Sequence, residues 1–140
     1  MKKILWIEDE ENSLEQYIAP ILSLEIKIDF TNNAEEAINY LRLNKYDLVI
    51  FDLIINAGDY ETEEEYVGFG LIKDLFDNKI QGVKFDKSTK TMVFTVIEKP
   101  EIISKLYKIG INKILIKRRL ELNHIKKTID NLSENAVKKK

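Results

Sequence analysis

The 140-residue chain contains no cysteine, one histidine, one tryptophan and two prolines. Without cysteine there is no disulfide framework, no thiolate nucleophile and no zinc–thiolate centre. No apolar stretch approaches the roughly 20 residues that span a bilayer. The opening "MKKILWIEDEEN" carries an apolar run only from Ile4 to Ile7, too short for a secretory signal. Neither charge dominates: 22 basic against 24 acidic residues leave a formal net charge of -2. That balance offers no global attraction to nucleic acid or to an anionic membrane, and no helix-turn-helix or RNA-binding motif is visible. A cytoplasmic protein is expected.

What is present suits a globular domain: 44% hydrophobic and 33% charged residues, in a chain long enough to bury one core. Ile4 to Ile7 reads as a buried strand. Asn12 or Ser13 can cap a helix with Leu14, Tyr17, Ile18, Ile21 and Leu22 on one face, which Pro20 should kink or shorten. Ile26, Ile28 and Phe30 alternate at strand spacing. Asn33 opens a helix with Ala34, Ala37, Ile38 and Leu41 at i, i+3, i+4 and i+7. Leu48 to Phe51 is a second buried run, and Leu71, Ile72, Leu75 and Phe76 mark a third helix. "NKIQGVKFDKSTK" reads as an irregular connection before a strand over Thr91 to Val96. Pro100 starts and Gly110 ends a fourth helix. Ile114 to Ile116 is a fifth strand, and a last helix is expected over Leu120 to Leu132.

Strand and helix alternate five times, and continuous apolar runs outnumber alternating strands. That is the mark of an α/β fold: a five-stranded parallel sheet with helices on both faces. Residues 1–133 form a single domain on this reading, and 134–140 a polar, lysine-rich tail. Ligands of such sheets bind outside the carboxyl ends of the strands. The polar residues at those ends are Glu8 and Asp9 after the first strand, Asp52 after the third, Thr95 in the fourth and Lys117 after the fifth. Three converging carboxylates repel one another and call for a cation, and hard oxygen donors suit Mg²⁺ or Mn²⁺. A hydroxyl and an ammonium opposite the metal could hold phosphoryl oxygens, which leaves Asp52 as the nucleophile for an acyl phosphate.

The segments "KKILWIEDEEN", "YDLVIFDL", "MVFTV" and "GINKILIK" resemble the receiver domain of two-component response regulators, in the family's order and over almost the whole chain. The resemblance implies a flavodoxin-like (βα)5 fold. It also implies a phosphoryl group passed to an aspartate by a histidine kinase or phosphotransfer protein. It makes Glu8 and Asp9 the metal-binding acids and Asp52 the phosphoacceptor, with the backbone carbonyl of Ile54 facing the metal. Thr95 becomes the switch hydroxyl and Lys117 the partner of the phosphoryl group. The expected function is a stand-alone receiver: a signalling switch with an unidentified downstream protein partner, no membrane or nucleic-acid partner, and no turnover beyond its own phosphorylation and dephosphorylation.

Several positions depart from the pattern. Glu8 stands where aspartate is more usual, and Val96 follows Thr95 where a small residue is typical. Ile114 takes the place of the switch aromatic, and Arg118 that of the proline after the lysine. Val96, Ile114 and Arg118 motivate an alternative, a degenerate receiver that binds a protein partner without phosphorylation. A phosphatase of the haloacid dehalogenase type would want a second aspartate where Ile54 stands, and a flavin site would want a phosphate-cradling loop after the first strand. The loop with Asp59, Glu61, Glu63, Glu64 and Glu65 reads first as a solvated mobile loop and second as a selector of a basic partner. Gly58, Gly68 and Gly70 would let it bend. Trp6 is expected in the core, and His124 in a surface or packing role.

Overall fold

A computed structural model describes residues 2–8, 26–86 and 88–117. Its elements in chain order are β1 (Lys2–Ile7), β2 (Ile26–Thr31), α1 (Ala34–Leu43), β3 (Leu48–Phe51), α2 (Val67–Phe76), β4 (Lys90–Thr95), α3 (Pro100–Ile109) and β5 (Lys113–Ile116). The helices expected over 13–22 and 120–132, the tail, Asp9, Arg118 and His124 lie outside the described residues. β4 begins and ends one residue earlier than its apolar pattern suggests, and 78–86 and 88–89 are irregular as expected.

The five strands form one parallel sheet in the order β2-β1-β3-β4-β5. Side chains alternate across it, so each strand feeds two apolar layers. Leu5, Ile7, Val49, Phe51 and Val93 face the layer closed by Ala34, Ala37 and Ile38 of α1, Phe69, Leu71, Ile72 and Leu75 of α2, and Leu106 of α3. Ile4, Trp6, Leu48, Ile50, Met92 and Phe94 form the layer on the opposite face. Trp6 is fully buried there, stacked on Phe30 at 5.8 Å and edge-on to Phe94 at 6.2 Å. Its core role follows from that packing.

Local signals place the helices. Asn33 Oδ1 accepts the Glu36 N–H at 2.8 Å, an N-cap, and the alanines at 34 and 37 let α1 lie close to the sheet. Pro100 sits in the first turn of α3, where its missing N–H costs nothing, and Gly110 terminates that helix at φ 128°. No described helix is long and apolar enough to cross a membrane.

Candidate functional site

The register explains how residues distant in sequence meet. Ile7 pairs with Phe51, Phe51 with Val93, and Phe94 with Leu115. Continued by one residue, it sets Glu8, Asp52 and Phe94 side by side in a row at the carboxyl edge. The Asp52 N–H donates to Ile7 O at 3.1 Å and the Glu8 N–H to Thr31 O at 2.8 Å, so both backbones are tied to neighbouring strands. Lys117 follows β5, two strand positions from β3, a span of about 9–10 Å. Its long stem reaches across the end of β4. There Nζ donates to Asp52 Oδ2 at 2.8 Å and to Glu8 Oε1 at 2.7 Å, and lies 5.1 Å from the centre of the Phe94 ring.

Glu8 is 1% and Asp52 4% exposed; burying carboxylates is costly unless they are paired. One ammonium serves two of them, so the trio carries one excess negative charge whenever both are ionised. Burial first, and the neighbouring Asp52 second, push Glu8 up from 4.5 to about 7, against the opposing pull of Lys117. Burial pulls the Lys117 ammonium down. Its hydrogen bonds and charge contacts with Asp52 and Glu8 outweigh that and hold its pKa above the ordinary lysine value. Asp52 Oδ1 accepts the Ile54 N–H at 3.2 Å, which fixes the carboxylate plane.

Glu8, Asp52 and Lys117 therefore meet as their strand-end positions require. Thr95 is buried at the end of β4, and its hydroxyl oxygen accepts the Ile97 N–H at 3.3 Å, capping the turn that follows. Val96 is 39% exposed in that turn, and Ile114 packs half-buried against the main core. Asp9 lies outside the described residues, and among those described no group of three acids, histidines or cysteines could by itself hold a metal. The donors that are described, Glu8 and Asp52, are hard carboxylate oxygens with an excess negative charge, a set that fits Mg²⁺ or Mn²⁺.

Two residues at this edge have roles that the linear pattern does not announce. Gly68, in the first turn of α2, donates its N–H to Leu53 O at 3.0 Å. A Cβ there would lie 2.1 Å from the Asp52 carbonyl oxygen and 2.7 Å from Leu53 Cα. It lets α2 press against the strand end that presents Asp52. Gly70 likewise makes room for Thr62, whose Oγ1 would lie 2.1 Å from a Cβ. Of the three glycines expected to bend the loop, only Gly58 has positive φ, 62°; the other two are sites of close approach. Phe94 is the second residue, hidden because an aromatic in a buried strand reads simply as core.

The acidic loop is strapped to its surroundings. Asp59 N–H donates to Glu35 Oε1 at 2.7 Å, and Tyr60 OH to Asp74 Oδ2 at 2.6 Å. Lys73 pairs with Glu64 at 2.7 Å, and Lys99 with Glu65 at 3.5 Å. An open groove of about 700 Å³ runs between Tyr60–Glu64 and the Gly70–Asp74 face of α2. These attachments depend on tertiary neighbours that the loop's own residues do not announce.

No family model and no curated protein matches the chain in sequence. Solved structures match it closely in shape. A two-component response regulator from Clostridium difficile is 22% identical with a TM-score of 0.75, over 96% of this chain and 97% of that one. The signal receiver domain of a putative Luxo repressor protein from Vibrio parahaemolyticus gives 17% and 0.76, over 99% and 94%. A CheY-like receiver domain protein from Methanospirillum hungatei JF-1 gives 15% and 0.74, over 99% and 98%. Five parallel strands in this order, and these matches over nearly the full length of both chains, show that the chain has the fold of the response-regulator receiver domain.

Proposed function

We propose that the chain is a receiver module of two-component signalling that accepts a phosphoryl group on Asp52 from a histidine kinase or phosphotransfer protein. The observation that carries the reading is the Lys117 ammonium held between Asp52 Oδ2 and Glu8 Oε1, 2.8 and 2.7 Å away, at the carboxyl edge of the sheet. In the transfer, an Asp52 carboxylate oxygen attacks phosphorus. A new O–P bond forms while the bond from phosphorus to the donor breaks, and the donor leaves with that electron pair. Lys117 then moves its hydrogen bonds from the carboxylates to the phosphoryl oxygens. The Ile54 N–H keeps the carbonyl end of Asp52 oriented. Thr95, one strand away, turns its hydroxyl from the Ile97 amide towards the added group and carries the β4–α3 turn with it.

Mg²⁺ or Mn²⁺ held by Glu8, Asp9, Asp52 and the Ile54 carbonyl would supply the remaining neutralisation of phosphoryl charge. The domain would comprise residues 1–133, in the cytoplasm, and signal to a downstream protein through the moved surface. The test is intact-mass measurement after incubation with acetyl phosphate and Mg²⁺. One phosphoryl adduct, absent from Asp52→Asn, is expected. No adduct with any small donor or with Mn²⁺ would overturn the phosphotransfer reading and leave a receiver fold that binds its partner without phosphorylation.

A further inference from the structure

We infer that Phe94 is a positioning residue for the reaction at Asp52: its ring is the platform that holds the Lys117 ammonium over the carboxylates. The register places Phe94 in one row with Glu8 and Asp52, between Asp52 and the strand that carries Lys117. The lysine stem must cross the end of β4 to reach its partners, and Nζ lies 5.1 Å from the ring centre. The lysine side chain is 18% exposed. A four-carbon stem with its head near solvent has many alternative rotamers, and an ammonium is drawn to water unless something competes. A fully buried ring offering its electron-rich face is such a competitor. The ring itself is held: Trp6 packs edge-on against it at an interplanar angle of 68°. Trp6, Phe94 and Lys117 thus form a contiguous series that carries the order of the core to the ammonium.

The role in catalysis rests on the phosphotransfer reading, whereas the placement of the ammonium does not. The test therefore has two readouts on the full chain. First, the Lys117 side-chain protons are assigned by NMR without any phosphodonor. Their ring-current shift is expected in the native chain, retained in Phe94→Tyr and lost in Phe94→Leu. Second, the rate of acetyl phosphate labelling is expected to fall roughly three- to thirty-fold in Phe94→Leu, the weight of a cation–π contact, and to return in Phe94→Tyr. In a Lys117→Met background, Phe94→Leu should cause no further fall, because the ring acts only through the lysine. Absence of the ring-current shift would overturn the inference. So would a labelling defect of equal size in the Lys117→Met background, which would mark a general packing loss. A shift present in a chain that never labels would sustain the placement and remove the phosphotransfer reading instead.

Discussion

At the scale of single residues, the site is governed by a charge imbalance. Two buried carboxylates share one ammonium, and Glu8 answers with a pKa raised from 4.5 to about 7. Between those values the folded chain holds a proton on Glu8 that the unfolded chain has released. Stability must then fall as pH rises through that interval. Lys117 adds no slope there, since its raised pKa matters only near its own titration. Urea midpoints measured in EDTA are expected to decrease from about pH 5 to about pH 7.5, and Glu8→Gln should flatten the curve. A native curve that rises or stays level would contradict the assignment. Gly68 gives a prediction of opposite character. Alanine normally improves a helix by up to about 1 kcal/mol over glycine, but a Cβ 2.1 Å from the Asp52 carbonyl oxygen meets backbone, which cannot rotate away. Steric cost wins, and Gly68→Ala is expected to destabilise by about 1–3 kcal/mol, read from equilibrium denaturation.

At the scale of elements, the segment 57–66 keeps its acids Asp59, Glu61, Glu63 and Glu65 exposed to solvent and is also strapped to its neighbours. It is joined to α1 through Glu35, to α2 through Asp74 and Lys73, and to the β4–α3 turn through Lys99. The exposed ion pairs contribute little individually. The Tyr60–Asp74 hydrogen bond is the better anchor, because Tyr60 also packs its ring against the main core. Burial first, and Asp74 second, push the Tyr60 hydroxyl well above its ordinary pKa, so it stays a donor at all physiological pH values. Tyr60→Phe is expected to cost about 1 kcal/mol and to speed amide exchange over 57–66 while leaving the strands unchanged. Exchange rates equal to those of the native chain would show that the strap holds without the Tyr60 hydroxyl.

The sheet was legible in advance for a physical reason. Parallel strands covered on both faces must be apolar throughout, so Ile4 to Ile7 and Leu48 to Phe51 declare themselves without help from the turns. The polar residues that end those runs then mark the carboxyl edge, and Glu8, Asp52 and Lys117 meet there. What stayed hidden depends on contacts between elements. Gly68 inside an apolar stretch looks like a hinge until α2 is docked on Asp52. Phe94 looks like core until Lys117 crosses it. Glu64 and Glu65 look unpartnered until α2 supplies Lys73 and the following turn supplies Lys99.

At the scale of the whole molecule, the cation site proposed at Glu8 and Asp52 would make folding and cation binding one equilibrium. The unfolded chain does not assemble carboxylates from two strands, so a divalent cation at the proposed site would bind the native state alone and stabilise it by mass action. At a hundredfold excess over its Kd the gain is about 2.7 kcal/mol, or roughly 5–10 °C in Tm for a domain of this size. On the proposed reading the cation would displace the Lys117 ammonium from the carboxylates it bridges, so the rise should grow in Lys117→Met and shrink in Asp52→Asn. Sodium chloride at matched ionic strength separates site binding from general screening, which weakens exposed pairs far more than buried ones. An identical Tm in MgCl₂ and in matched NaCl would remove the divalent cation from the proposed chemistry. The Glu8–Lys117–Asp52 cluster would then be a closed ion network, and Asp52 would take no phosphoryl group from acetyl phosphate.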